Sequence, residues 1–246
     1  MKTPQRGILV IDKPSGLTSH DVVEEVRKTT GVQRVGHAGT LDPFATGVLV
    51  IMVGSEATRK SANLSQTDKE YLTTIEFGKT TNTLDPTGQF VGKPIKVHLG
   101  VPELKRALQA FLGTTLQQVP AFSAVKVKGE KLYRKARRGE RFLPPTRKIT
   151  ISKLELLDLS QNQHGFPQAK VRITCSSGTY IRALARDIGQ KLGLPAYLVA
   201  LRRTRQGKFT LKQAITLNDF LWKPVSKLQK QDGWRGWRVG SERLPA

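Results

Sequence analysis

The sequence is poor in cysteine, in acidic residues and in aromatic residues, and it lacks a long apolar run. Its one cysteine, Cys175, excludes an intramolecular disulfide bond and a cysteine-ligated zinc site. Four scattered histidines do not form a metal-binding cluster, so we expect no metal and no other cofactor. No stretch is long and apolar enough to span a bilayer, and the first residues do not resemble a signal peptide. We therefore expect a soluble cytoplasmic protein.

The scarcity of acids leaves the chain strongly basic. Lysine and arginine number 41 against 19 acids, which gives a net charge of +22 over 246 residues. A charge of this size repels itself in the compact state unless a polyanion neutralises it. Nucleic acid is the first partner to expect, and a ribosome-associated or membrane-surface role is the second. Hydrophobic residues make up 38% of the chain, enough for one substantial core.

A glycine-rich loop, Gly36–Gly47, precedes the apolar run Val48–Val53. The run contains several β-branched residues and predicts a buried strand. Within the loop, Pro43 fixes its own φ and disfavours the helical region for Asp42. Asp42 is thereby expected at the end of a strand, where scaffolds often present reacting groups. From these residues alone, Asp-Pro is more often simple turn chemistry.

Several motifs resemble, in the same order, those of the TruB-type tRNA pseudouridine synthases, which make pseudouridine in the T-loop of tRNA. The most specific is the window Gly36–Leu49, and Lys13–Ser19, Lys69–Tyr71 and Cys175–Arg182 follow the same family pattern. The resemblance implies an α+β pseudouridine synthase fold, with a central mixed or antiparallel sheet flanked by helices. It also implies a catalytic domain over residues 1–222 and a basic, thumb-like insertion over residues 120–148.

The resemblance implies that Asp42 is the catalytic carboxylate and that Arg182 pairs with it. An arginine beside this acid would favour its ionised form. The resemblance also implies that His37 occupies the place which the flipped base vacates. On spacing alone, His37 would be an ordinary turn histidine.

Three apolar or aromatic residues complete the pocket that the resemblance implies. Tyr71 would pack on the target base, Tyr180 would form a second wall, and Leu201 would line the pocket. From burial tendencies alone, Tyr71 is more often a core residue, and a core role for Leu201 is equally compatible with the sequence.

Residues 120–148 combine high basic density with Tyr133 and Phe142, a composition that favours binding to nucleic acid. Because residues 126–148 within it include few large apolar residues, we expect that they build no core of their own and become ordered on RNA. The predicted RNA-backbone contacts are Lys13, Lys126, Lys128, Lys131, Arg134, Arg202 and Arg203.

Local patterns predict individual elements. Ser19 is expected to cap a helix through Thr30, and Thr179 a helix that buries Ile181, Leu184, Ala185, Ile188 and Leu192. Alternating patterns predict strands over residues 69–77 and 168–175. Residues 223–246 are expected to form a short basic tail, too short for the PUA domain that many family members carry.

Three functions fit the sequence. The chain is interpreted as an active tRNA uridine isomerase acting on the T-arm as a monomer, as an RNA-folding chaperone with the same fold, or as a ribosome-associated binding protein. Isomerisation needs one carboxylate and no redox step, and the presence of Asp42 favours it. The carboxylate's role remains open between attack on ribose C1′, attack on uracil C6 and removal of the C2′ proton.

Overall fold

The structure is a computed structural model that describes residues 6–127 and 129–222 and the backbone of residues 234–236. Lys128 of the basic insertion lies outside the described residues, and so does the predicted tail apart from the backbone of residues 234–236. The chain divides into two compact units. Unit 1 comprises Met1–Thr67 with Arg203–Ala246, and unit 2 comprises Asp68–Arg202. The predicted α+β fold with a mixed sheet flanked by helices is confirmed.

The elements have the following bounds. In chain order the strands are β1 (Gly7–Lys13), β2 (Val35–His37), β3 (Thr46–Val53), β4 (Lys69–Phe77), β5 (Thr80–Thr81), β6 (Phe90–Val91), β7 (Gly113–Gln118), β8 (Lys126–Val127), β9 (Glu130–Lys131), β10 (Thr146–Gln161), β11 (Pro167–Cys175), β12 (Ala196–Gln206), β13 (Phe209–Thr210), β14 (Ile215–Thr216) and β15 (Trp234–Gly236). The helices are α1 (Ser19–Thr30), α2 (Ser55–Arg59), α3 (Ser61–Ser65), α4 (Val101–Gln109), α5 (Leu132–Arg137), α6 (Ile181–Lys191) and α7 (Leu217–Trp222), with a 3₁₀ turn at Leu211–Gln213.

In unit 1 the apolar strand β3 pairs antiparallel with the whole length of β1, from Gly7 opposite Val53 to Lys13 opposite Gly47. Strand β1 also pairs parallel with β14, which makes the sheet mixed. Seven residues of β3 are buried, as the apolar run predicted. The loop that contains Asp42 therefore leads directly into a strand of the buried core.

Helix α1 has the predicted extent, but its cap is not Ser19. Thr18 is the N-cap: it accepts the Asp21 N–H, and the Asp21 carboxylate accepts the Thr18 N–H, which forms a capping box. Gly31 ends the helix in a left-handed conformation. Ser19 is buried instead, because its hydroxyl bonds a residue far along the chain.

In unit 2 the strand order is β12, β4, β11, β10 and β7. Strands β4 and β11 match the predicted ranges to within one residue, and Ala169, Val171, Ile173 and Cys175 are buried on β11 as expected. Alternation identified these strands because one face is buried and the other is not. Strand β7 lies at the edge of this order and pairs with the beginning of β10.

The predicted cap of helix α6 is wrong. Tyr180, not Thr179, holds the N-cap position, and its side chain makes no capping bond. The Thr179 hydroxyl instead donates to the Ser176 carbonyl. The predicted stripe is buried apart from Leu192, which is half-buried.

The basic insertion has regular structure, contrary to the expectation that it has no core. Strands β8 and β9 form a hairpin, helix α5 follows, and Leu132 is fully buried. The exposed cation Arg138 pairs with both Glu130 and Glu140 at 2.6 Å. Acids interleaved with the cations thus pair with them inside this segment, which the count of basic residues alone did not reveal.

Among the described residues, no helix is long and apolar enough to cross a membrane.

Candidate functional site

The Asp42 loop is held by its backbone in unit 1. Leu41 is buried, whereas Asp42 is partly exposed and Pro43 is exposed. The Ser19 hydroxyl donates to the Leu41 carbonyl at 3.1 Å and accepts the Leu41 N–H at 2.8 Å. The Ala45 N–H donates to the Asp42 carbonyl at 3.0 Å, which closes a turn. The carboxylate therefore projects from a turn whose preceding residue is anchored on helix α1.

Lys13 is fully buried, which corrects its prediction as an RNA-backbone contact. Its ammonium donates to the carbonyls of Pro14, Leu17 and Pro43, at 2.8, 2.7 and 3.2 Å. Desolvation lowers the pKa of Lys13 to about 8, and the nearby charge of Asp42 acts in the opposite direction. The lysine thus fastens the residue after Asp42 to the turn that follows β1.

Arg203 is also buried, so the prediction that it contacts phosphate is wrong as well. Its guanidinium donates to the carbonyls of Val48 at 2.7 Å, Thr40 at 3.4 Å and Gly39 at 3.0 Å. A planar group with five donors suits three converging carbonyls, two from the Asp42 loop and one from β3. Arg203 therefore holds the part of the loop before Asp42, and Lys13 holds the part after it.

Gly47 is the point where this loop meets the backbone of β12. Its φ is +103°, and a Cβ placed there would lie 2.8 Å from the Arg203 nitrogen and closer still to the Arg203 carbonyl oxygen. Only glycine fits this approach. Gln206, also on β12 and buried, donates to the Ala38 carbonyl and to the Leu64 carbonyl.

His37 lies at the end of β2 in the same unit and is partly buried. Burial, followed by the neighbouring charge of Arg203, lowers the pKa of His37 below its usual value. A neutral imidazole is therefore favoured near neutral pH. A neutral, half-buried ring suits a side chain that packs among bases.

In unit 2, Arg182 is buried at the start of α6, although its sequence position placed it off the buried stripe. Its guanidinium donates to the carbonyls of Thr83 at 2.8 Å and Phe122 at 3.1 Å. It also lies 3.3 Å from a carboxylate oxygen of Asp85. A cation at a helix N-terminus opposes the helix dipole, and Asp85 supplies an acidic partner that offsets this.

Asp85 was missed in the sequence, where it lay in a polar turn. It is buried, and its carboxylate accepts from the hydroxyls of Thr83 and Thr87 at 2.7 and 2.6 Å. Leu84 before it has a φ of +64°, which is uncommon for a non-glycine residue. The alternation of Thr83, Asp85 and Thr87 was the available signal, because short polar side chains at that spacing satisfy each other in Asx-type turns.

The remaining predicted pocket residues lie on β4, on β12 and at the start of α6. Tyr71 is buried on β4 and Leu201 is buried on β12, while Tyr180 is partly exposed. Strands β4 and β12 are neighbours, and the Thr73 hydroxyl donates to the Ala200 carbonyl at 2.7 Å. Burial of Tyr71 and Leu201 agrees with a core role and with a pocket role.

The other predicted RNA contacts are accessible where they are described. Lys126 and Arg134 are exposed, and Lys131 and Arg202 are partly exposed. These four cations remain candidates for phosphate binding.

The described part of the chain offers neither a reactive cysteine nor a metal-binding cluster. Burial raises the pKa of the Cys175 thiol to about 11, which leaves it un-ionised and unsuited to nucleophilic attack. Among the described residues, no three His, Cys, Asp or Glu side chains lie together so as to hold a metal ion.

Comparison with known proteins agrees with this geometry. Residues 27–181 match the N-terminal domain of the TruB family pseudouridylate synthases, and residues 182–230 match the tRNA pseudouridylate synthase B C-terminal domain. The chain is 44% identical over 216 residues to a protein of Thermobifida fusca named tRNA pseudouridine synthase B, covering 87% of this chain and 73% of that protein. It is 45% identical over 233 residues to a protein of the same name from Nocardia farcinica, covering 94% of this chain and 75% of that one.

A solved structure is similar as well. A chain in the crystal structure of a Cbf5–Nop10–Gar1 complex matches with a TM-score of 0.69 and 28% identity. The match covers 94% of this chain and 57% of that chain, so the present chain spans little more than half its length.

Proposed function

The chain belongs to the TruB family of pseudouridylate synthases, and from this premise we propose that it isomerises uridine to pseudouridine at position 55 in the T-loop of tRNA. The observation that carries the proposal is the Asp42 loop, which lies within the matched residues 27–181. Ser19, Lys13 and Arg203 fasten its backbone, and Asp42 itself is partly exposed.

The reaction requires one group of this kind. The bond between uracil N1 and ribose C1′ breaks, the uracil turns, and a bond from C5 to C1′ forms. The C5 proton leaves to water and N1 takes up a proton, so the product is an isomer of the substrate. No electrons are gained or lost overall. An ionised Asp42 supports the reaction as a nucleophile at C1′ or C6, or as the base for the C2′ proton. The fixed backbone around Asp42 favours each of these routes, because it restricts the carboxylate to few positions.

A uridine inside a folded loop must leave its stack to reach the carboxylate. We propose that His37 occupies the vacated place, and its lowered pKa supports this by favouring an uncharged ring. Tyr71, Tyr180 and Leu201 are proposed to receive the base. Stacking on aromatic faces offsets the few kcal/mol that extrusion costs.

The charge of +22 supports a polyanionic substrate. We propose that the T-arm stem-loop suffices for recognition, that Lys126, Lys131, Arg134 and Arg202 contact its phosphates, and that the enzyme acts as a cytoplasmic monomer.

The direct test measures tritium released from tRNA whose uracils are labelled at C5. The wild-type chain should release tritium from a tRNA with uridine at position 55, and not from one with cytidine there. Asp42→Asn should abolish release while the Kd for the tRNA stays near wild type, because the side chain keeps its size. Asp158→Asn, at an exposed acid on β10, is the matched control and should keep full activity.

Absence of release by the wild type, or release that ignores the base at position 55, would overturn the proposal. If Asp42→Asn retains binding and RNA annealing but loses release, both an isomerase and a chaperone activity reside in the chain.

A further inference from the structure

The side chain of Gln117 bonds both main-chain polar groups of Tyr180. Its amide oxygen accepts the Tyr180 N–H at 2.9 Å, and its amide nitrogen donates to the Tyr180 carbonyl at 3.1 Å. Gln117 is 2% exposed, so water does not compete for these bonds. A primary amide can accept through its oxygen and donate through its nitrogen at the same time.

Tyr180 occupies a position where such support matters. It is the N-cap of α6, and its own side chain makes no capping bond. Its carbonyl also accepts the first helical bond, from the Leu184 N–H at 3.0 Å. Gln117 therefore holds the residue at which α6 begins, and Arg182 lies in the first turn of that helix.

A second residue restrains the side-chain end of Tyr180. Arg147 on β10 lies directly opposite Gln117 on β7 in the antiparallel ladder. Its guanidinium carbon lies 5.9 Å from the centre of the Tyr180 ring, and the group donates to the Gly178 carbonyl at 3.1 Å. A cation at this distance over a ring is attracted to its face. These two facing residues thus both contact Tyr180. Gln117 holds its backbone, and Arg147 lies over its ring.

We infer that Gln117 is a positioning residue of the uridine pocket, acting through Tyr180 and the start of α6. The inference rests on the proposed function in one respect, that Tyr180 forms a wall of the pocket. Gln117 need not touch the RNA. Its role is to keep the Tyr180 ring and the Arg182 guanidinium in register for the reaction step, so its loss should reduce kcat rather than RNA affinity.

The first test uses Gln117→Met, which keeps the length and removes both hydrogen bonds. Hydrogen exchange of the full chain should show the Tyr180 amide exchanging at least about tenfold faster, with the end of α6 unchanged. In tritium release, kcat should fall by about 10- to 100-fold, the range of a small misplacement of a reacting group. The Kd of the T-arm stem-loop should stay within about threefold of wild type. Gln161→Met, at an exposed glutamine ending β10, is the matched control and should match wild type in every measurement.

The second test uses Gln117→Glu. A purely structural defect would not vary with the protonation state of the introduced glutamate. An ionised glutamate still accepts the Tyr180 N–H but cannot donate to the Tyr180 carbonyl, whereas a protonated one does both. The ratio of variant to wild-type kcat should therefore rise as pH falls through the glutamate's pKa.

A Gln117→Met variant with unchanged kcat and unchanged exchange at Tyr180, or a Gln117→Glu ratio that is flat with pH, would overturn the inference. If the wild type releases no tritium, the proposed function fails, and the exchange rate of the Tyr180 amide still decides whether Gln117 holds it.

Discussion

Ser19 and Leu41, 22 residues apart, are joined by two hydrogen bonds through one hydroxyl group: Ser19 Oγ accepts the Leu41 N–H at 2.8 Å and donates to the Leu41 carbonyl at 3.1 Å. Both residues are buried. The pair fixes the backbone immediately before Asp42, so it links the first turn of α1 to the proposed catalytic carboxylate.

We expect Ser19→Ala to lower the free energy of unfolding by about 1–3 kcal/mol, because it leaves a buried N–H and a buried carbonyl unsatisfied. The rate of tritium release should fall more than stability alone explains, since Asp42 loses its anchor. Both are measured on the same preparation, by urea unfolding and by single-turnover kinetics. Ser160→Ala, whose exposed hydroxyl donates to Asp158 on β10 and not to the Asp42 loop, serves as the control. Full activity in Ser19→Ala would show that the anchor is dispensable.

Gly47→Ala should destabilise the protein strongly. The added Cβ meets the backbone of Arg203, which cannot move aside as a flexible side chain can, and the φ of +103° adds strain. Gly31→Ala separates these effects, because Gly31 has a φ of +67° and nothing within 4 Å of an added Cβ. The control should cost about 1–2 kcal/mol from its backbone conformation, and Gly47→Ala should cost more than twice as much. Equal unfolding midpoints in urea would contradict the close approach.

Lys13 should make stability depend on pH in the alkaline range. Its pKa is about 8 in the folded state, against 10.5 as the ordinary value. Between these values the unfolded chain binds more protons at this residue, so the lysine's contribution to the free energy of unfolding rises with pH. Below about pH 8 the cost of burying the charge is present in full.

The difference in unfolding free energy between wild type and Lys13→Met isolates this effect from other titrating groups. It should move in favour of wild type as pH rises from about 8 to about 10. A difference that is constant, or that moves in favour of the variant, would show that the ammonium is not desolvated.

Arg182→Lys should lower kcat by about 100-fold or more, because a lysine keeps the charge but cannot reach Thr83, Phe122 and Asp85 together. The thermal unfolding midpoint and kcat are measured in parallel. Lys191→Arg, at the exposed end of α6, is the control for a basic exchange on the same helix. A wild-type kcat in Arg182→Lys would show that the reaction does not need the planar guanidinium group.

RNA binding should weaken steeply with salt, with a slope in log K against log salt of about −0.7 to −0.9 for each phosphate contact. Replacing Lys126, Lys131 and Arg134 with glutamine should reduce the slope by up to about three such contacts. Fluorescence anisotropy with a T-arm stem-loop measures it. An unchanged slope would place the phosphate contacts elsewhere on the chain.

The sequence by itself determined the elements whose signal is local. Strand β4 has the predicted bounds, and β11 differs by one residue, because alternation between a buried and an exposed face is written in neighbouring residues. The loop of Asp42 and the strand that follows it were likewise predicted, since glycine, proline and β-branched residues each restrict or extend the allowed backbone conformations.

Only the tertiary structure decided what the polar side chains do. Lys13 and Arg203 looked like surface cations because lysine and arginine are mostly exposed, yet both are buried on carbonyls of the Asp42 loop. Gln117 looked unremarkable because its partner Tyr180 is 63 residues away. Ser19 was predicted to cap α1, but its hydroxyl bonds the distant backbone of Leu41, and Thr18 is the cap. Hydrogen bonds depend on positions that the whole fold creates, whereas hydrophobic periodicity depends only on the helix or strand that carries it.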